Sequence, residues 1–259
     1  PSARRPIDGA PACPIWAPVF PASAFLLLTV QAYWPCVVAG VLAIYCVFSW
    51  CWLLDMPADQ ETADIGAGIR VPTYVAGPQS HGWWAMVITL VVGGMVALLA
   101  GFSYVFLWSR NPATWAPPPE LSTLAATVGP YVLAALLAWG ACAVLRLARP
   151  RSPLIATVMM VAASLLVATG WGLDWRAWHM LGTDPTASAQ FAMIYAFIAW
   201  DGFFAFVGVV MGLFVALRCA AGLVSPERPS TFHLVALFLA YSAVQGTATT
   251  LLTRFFPGL

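Results

Sequence analysis

Three histidines, His81, His179 and His233, are the residues best suited by type to hold haem, copper or zinc. A bis-histidine haem needs two imidazoles facing each other at similar depth. Each histidine here stands at the end of an apolar run and no two share a helix face, so the pattern offers no redox-metal centre. Of the six cysteines (Cys13, Cys36, Cys46, Cys51, Cys142 and Cys219) most lie in or beside apolar stretches, and no two form a CxxC spacing. They read as small core- or lipid-facing residues, not as a disulfide framework. All eleven basic residues are arginine, which excludes Schiff-base and P-loop lysine chemistry. No phosphate loop, catalytic triad or zinc motif is present, so no catalytic residue is assigned.

One acid stands out. Asp201 lies within the apolar stretch IAWDGFFAFVGVVMG, and an intramembrane charge is costly unless it is paired or used. Gly208 shares its helix face, and Gly208, Gly212, Ala216 and Ala220 continue a small-residue stripe at four-residue spacing. Such a stripe lets another helix approach closely, so Asp201 is expected to face protein. Two readings follow: a proton-relay or ion-binding carboxylate, or a carboxyl hydrogen-bonded to a neighbouring helix. Tyr241 and Gln245, at a similar depth in the last apolar run, are its expected partners. A proton path normally needs more than one polar station, which favours the structural reading. A second small stripe, Gly93, Ala97 and Gly101, points to helix packing.

The elements that position these residues follow from composition. With 61% hydrophobic and 8% charged residues, the chain carries more apolar surface than a soluble core of this size needs. An all-α polytopic membrane protein is the reading. A net charge of +1 gives no reason to expect nucleic acid. Seven apolar runs can cross a bilayer, at 16–33, 35–54, 83–108, 121–147, 154–172, 191–220 and 232–255. The first is crowded by Pro14, Pro18 and Pro21. The expected organisation is an N-terminal tail with a two-helix hairpin (1–55), an acidic Gly/Pro-containing connection (56–80) and a five-helix bundle (81–259).

Seven spans put eight arginines on the N-terminal side and three, Arg110, Arg176 and Arg254, on the other. The positive-inside rule then places the N-terminus in the cytoplasm and the C-terminus outside. Arg146, Arg149 and Arg151 form a cytoplasmic basic cluster that suits anionic lipid head groups, or serves only as a topology signal. Trp83, Trp84, Trp108, Trp115, Trp171, Trp175 and Trp178 fall at span ends and read as interfacial anchors.

The stretch SHGWWAMVITLVVGGMVALLAGFSYVFLW, residues 80–108, resembles the third helix of cytochrome c oxidase subunit III. It looks most like the form found in bacterial polypeptides that fuse subunit I to subunit III. FVGVVMGLFVALRCAAGL and STFHLVALFLAYSAVQGTATTLLTRFFPGL look like the last two helices of that family, with Met211, Arg218, Tyr241, Gln245 and Gly246 matching its pattern. The resemblance covers residues 80–259. It implies a non-catalytic part of an aa3-type oxidase in a bacterial inner membrane. Such a part would pack on subunits I and II, bind phospholipid in the cleft between hairpin and bundle, and sustain oxygen reduction and proton pumping. Haem a and copper would sit in the associated subunits, and cytochrome c would meet the complex elsewhere. The N-terminal hairpin would be either the tail of a fused subunit I or the first helix pair of subunit III. Since the chain starts at Pro1, it is expected to be processed or the tail of a longer polypeptide.

Two departures matter. Where relatives carry a glutamate in the third helix, this chain reads Val91-Val92-Gly93-Gly94, and where the sixth helix commonly has a histidine it has Phe204. The alternatives are a secondary transporter or channel with Asp201 as its coupling carboxylate, and the equivalent subunit of a quinol oxidase.

Overall fold

The computed structural model describes residues 13–54, 62–72, 80–115, 124–147, 151–226 and 229–256. The described residues form seven α-helices: α1 (Cys13–Thr29), α2 (Tyr33–Leu54), α3 (His81–Arg110), α4 (Leu124–Arg146), α5 (Ser152–Met180), α6 (Ala189–Ala220) and α7 (Ser230–Phe255). Six of these are long and apolar enough to cross a membrane, which makes the chain an all-α polytopic membrane protein. The exception is α1, whose 17 residues rise about 26 Å, less than the roughly 30 Å of a hydrocarbon core. Pro18 and Pro21 stand inside it, each removing a helical N–H.

The chain divides into two compact units, Pro1–Glu61 and Thr62–Leu259. In the first, α1 and α2 pack as a hairpin. Its turn is closed by Gln31 in the left-handed region (φ 61°), where the Ala32 N–H donates to the Leu27 carbonyl at 2.8 Å. That is the bonding by which a helix usually ends at a glycine, here carried by a glutamine.

The second unit begins with a feature the sequence reading did not contain. Within the 56–80 connection, β1 (Thr62–Asp64) and β2 (Arg70–Pro72) pair antiparallel around Gly66, Ala67 and Gly68, all at positive φ. The bundle follows. Ser80 caps α3 by accepting from the Trp83 N–H at 3.2 Å, and Ser188 caps α6 by accepting from Phe191 in the same way. α7 touches α3, α4, α5 and α6, so it is the central helix of the unit. α5 outruns the expected 154–172 span by a turn and more, because Leu173 to Met180 continue the helix instead of opening a loop.

The outer surface is suited to hydrocarbon. Ile88, Val92, Leu98, Leu99 and Phe102 of α3, Leu136 of α4 and Leu165 of α5 are exposed. Hydroxyls that share this surface donate to their own helix: Thr89 to the Ala85 carbonyl, Ser103 to Leu99 and Thr169 to Leu165, each at 2.8 Å. A polar group in lipid must be satisfied within the protein, and these are.

The aromatic belt needs correction. Trp84 and Trp175 are exposed at helix ends, as interfacial anchors are. Trp178 and Trp115 are buried, packed with Tyr104, Ile194, Phe197 and Ile198. Trp171 donates its indole N–H to the Ile198 carbonyl at 2.9 Å and so joins α5 to α6. Position at a span end could not separate an anchor from a core residue, because the helices run on past the expected ends.

Candidate functional site

Asp201 sits twelve residues into α6, about 18 Å from the start of that helix, and is buried. Gln245 lies ten residues before the end of α7, about 15 Å from it, so the two meet at the same depth. The Gln245 side-chain amide donates to Asp201 Oδ1 at 2.8 Å. Its carbonyl oxygen accepts from the Tyr241 hydroxyl at 2.7 Å. Thr249 Oγ1 lies against Asp201 Oδ2, and is also 3.1 Å from the backbone carbonyls of Gln245 and Gly246. Tyr241, Gln245 and Thr249 are spaced four apart and share one face of α7. The expected partners of Asp201 are thus brought together, and Thr249 is the member that sequence reasoning missed. Its i+4 place after Gln245 was the available signal.

The small residues are what allow this approach. A Cβ added at Gly208 would lie 3.0 Å from Leu239 of α7, and one at Gly212 would strike the Ser164 side chain of α5. The α6 stripe is therefore shared between two neighbours. On α3, a Cβ at Gly93 would lie 3.1 Å from the Phe204 ring and 3.5 Å from the Tyr241 hydroxyl, and one at Gly101 3.8 Å from Leu252. Ala97 lies between them on the same helix, partly buried. Gly94 also borders the Tyr241 hydroxyl, at 3.5 Å from an added Cβ. Two further glycines hold Tyr131 of α4: Cβ atoms at Gly170 and Gly246 would come within 2.9 Å and 2.5 Å of its ring. The ring is slotted between α5 and α7, a contact with no signal in the sequence around Tyr131 itself.

A second polar pair lies nearer the end of the bundle. Arg254 of α7 donates to Asp174 Oδ1 of α5 from Nη2 at 2.9 Å and from Nε at 3.2 Å, with both side chains buried. Asp201 is therefore not the one acid buried in the helices: Asp174 is a second, paired with the arginine at the end of the last run. Asp174 lies two residues past the expected 154–172 span.

The other candidates are separate. Arg146 is exposed and donates from Nη2 to His233 Nε2 at 3.2 Å, which ties the C-terminal end of α4 to the first turn of α7. Arg151 is exposed at the start of α5, and Arg149 lies outside the described residues. His81 is exposed in the first turn of α3, beside Trp83 and Trp84, whose rings meet edge-on at 5.1 Å. His179 stacks on Trp175 with ring centroids 5.4 Å apart. No two histidines converge. Among the described residues no three His, Cys, Asp or Glu side chains form a metal-binding group.

What the joint around Asp201 can do follows from its atoms. Thr249 has one hydroxyl proton and three acceptors in reach. With Asp201 ionised, the hydroxyl donates to the carboxylate; with Asp201 protonated, the carboxyl donates to the hydroxyl, which then donates to a helix carbonyl. Either state is satisfied without repacking. Onward transfer is another matter. A carboxamide holds its protons, so Gln245 does not pass one to Tyr241, and the carbonyls beyond Thr249 already serve the helix ladder. The chain of groups binds α6 to α7 and reaches as far as Tyr241, which is partly buried.

No protein-family profile matches this chain, and no curated protein does either.

Proposed function

We propose that this chain is a packing subunit of a membrane complex, occupying in a haem–copper oxidase the place of subunit III. The observation that carries the packing role is the Asp201–Gln245–Tyr241–Thr249 joint, in which the buried carboxyl is bonded to the neighbouring helix through both oxygens. Kinship with subunit III rests on the quoted helix motifs. The two departures are neighbours in space: Gly93, within the Val91–Gly94 stretch where relatives carry an acid, faces Phe204, where they commonly carry a histidine, so that a Cβ added at Gly93 would lie 3.1 Å from the Phe204 ring. A polar pair and a Gly/Phe pair are alternative ways of filling one interhelical space. The haem a and copper of such an enzyme belong to the neighbouring subunits, and the electron donor is cytochrome c or a quinol.

The membrane is a bacterial inner membrane in this reading, with the N-terminus cytoplasmic. The buried pairing of Arg254 leaves the far side with fewer free loop charges, which deepens the arginine asymmetry behind that orientation. Arg146 and Arg151, exposed at the cytoplasmic end, face phospholipid head groups.

The transport alternative has in its favour a carboxylate buried at mid-depth. Purification of the native complex under mild detergent decides between them. Co-purification of a subunit I-like protein with a haem a spectrum is expected. A preparation with no haem, whose chain alone carries a substrate flux in proteoliposomes abolished by Asp201→Asn, would overturn the oxidase reading.

A further inference from the structure

The β1–β2 hairpin is amphipathic across its two faces. Asp64 pairs with Arg70 and Ala63 with Val71, and the Ile65 N–H donates to the Ile69 carbonyl at 3.1 Å. Cross-strand partners share a face and successive residues alternate. Ile65, Ile69 and Val71 therefore lie on one face, and Thr62, Asp64 and Arg70 on the other. Ile65 is 64% exposed and Ile69 55% exposed, while Val71 is half-buried, so the turn end of the apolar face is open. The turn between them is Gly66-Ala67-Gly68, with the Gly66 N–H donating to Asp64 Oδ1 at 2.8 Å. Nothing bulky at that tip holds the face away from a flat surface.

We infer that this hairpin lies on the lipid–water interface of the membrane that α3 crosses, with Ile65 and Ile69 turned into it and Asp64 and Arg70 toward water. Two observations choose lipid over a protein partner. The tether is short: from Pro72 to His81 is nine residues, at most about 30 Å of extended chain, so the hairpin stays within reach of the surface where α3 begins. The apolar atoms also lie on a face, not along a strand edge, and three-residue strands offer few free backbone groups for strand addition by another chain. An interface accepts a small apolar face with charges on its far side, as it does an amphipathic helix. The inference does not depend on the oxidase reading.

The test places a photoreactive benzoylphenylalanine at one position at a time in the full chain: Ile65, Ile69, Thr62 or Asp64. Each chain is reconstituted into phosphatidylcholine vesicles, irradiated, and analysed by mass spectrometry. All four positions are exposed, so the substitutions leave the bundle intact. Ile65→benzoylphenylalanine and Ile69→benzoylphenylalanine should give several-fold more lipid adduct than the Thr62 and Asp64 variants. Equal yields from the two faces, or adducts at 65 and 69 formed with protein instead of lipid in the native complex, would overturn it.

Discussion

Replacing Asp201 separates a structural carboxyl from a working one, because asparagine and alanine should behave differently. In Asp201→Asn the side-chain oxygen still accepts from the Gln245 amide, and the new NH2 donates to Thr249 Oγ1. Thr249 then gives its proton to the Gln245 carbonyl, 3.1 Å away. Each of the existing partners keeps a hydrogen bond, and only the second N–H of the new amide is left over, so asparagine should cost less than about 1 kcal/mol. In Asp201→Ala the Thr249 hydroxyl has the same fallback, but the Gln245 amide is left as a buried donor facing nothing. An unsatisfied buried donor costs about 1–3 kcal/mol, while interhelical hydrogen bonds in membranes average about 0.6 and reach about 1.7. We expect a loss of about 1–2 kcal/mol for alanine, roughly a tenfold shift in the unfolding equilibrium. Reversible unfolding in mixed micelles followed by circular dichroism reads it. The double variant Asp201→Ala/Gln245→Ala should recover part of the loss, since no donor then remains stranded. If Asn proves as damaging to stability as Ala, the hydrogen-bond account is wrong. If Asn leaves stability untouched and stops turnover of the complex, the carboxyl carries protons and the packing reading fails.

Breaking the buried Asp174–Arg254 pair should cost more, about 3–5 kcal/mol for Arg254→Met, because an uncompensated carboxylate is left inside; the same unfolding titration checks it, and Asp174→Leu/Arg254→Met should restore most of the loss. Gly246→Ala drives a methyl into the Tyr131 ring at 2.5 Å and should destabilise by about 1–3 kcal/mol, with Tyr131→Leu in the same chain relieving it. Thr89→Val and Ser103→Ala should be neutral within about 0.5 kcal/mol, since each hydroxyl serves only its own helix. In the loop before α6, the Thr186 backbone N–H and hydroxyl hold the Asp184 carboxyl below the usual carboxylate range. That turn gains from ionised Asp184 above the usual range and loses the gain as pH falls through the lowered value, so NMR of the Thr186 amide should change only in more acidic solution.

The helices were legible because apolar runs of this length have one common meaning, and because the search for partners of Asp201 could use depth alone. Counting residues from the span ends put Tyr241 and Gln245 opposite it. The same counting failed at Asp174. There the apolar run stops at Gly172, just before the acid, yet α5 continues to Met180 and Arg254 compensates the acid within it. The compensating residue is 80 positions away, and a single sequence does not couple the two. Tyr131 was invisible for a related reason: its role is written in Gly170 and Gly246 on two other helices. The hairpin at 62–72 was hidden by length, since three-residue strands carry too little alternation to register.

The placement of the polar groups gives each of them a part in helix packing. Lipid tails are as apolar as leucine, so hydrophobicity brings helices into the bilayer without fixing how one slides or rotates against the next. Specific contacts must do that, and here they converge on the central helix. Asp201 locks α7 to α6 at mid-depth through Gln245 and Thr249. Asp174 locks it to α5 near one end through Arg254. At the opposite end Arg146 of α4 holds His233, in the first turn of α7. Three attachments at three depths, to three different helices, leave α7 no low-cost slide or rotation. Tyr241, turned toward Gly93 and Gly94, sets α3 against the same helix. Each of these contacts joins α7 to a different neighbour, which is how a helix is held in depth and rotation.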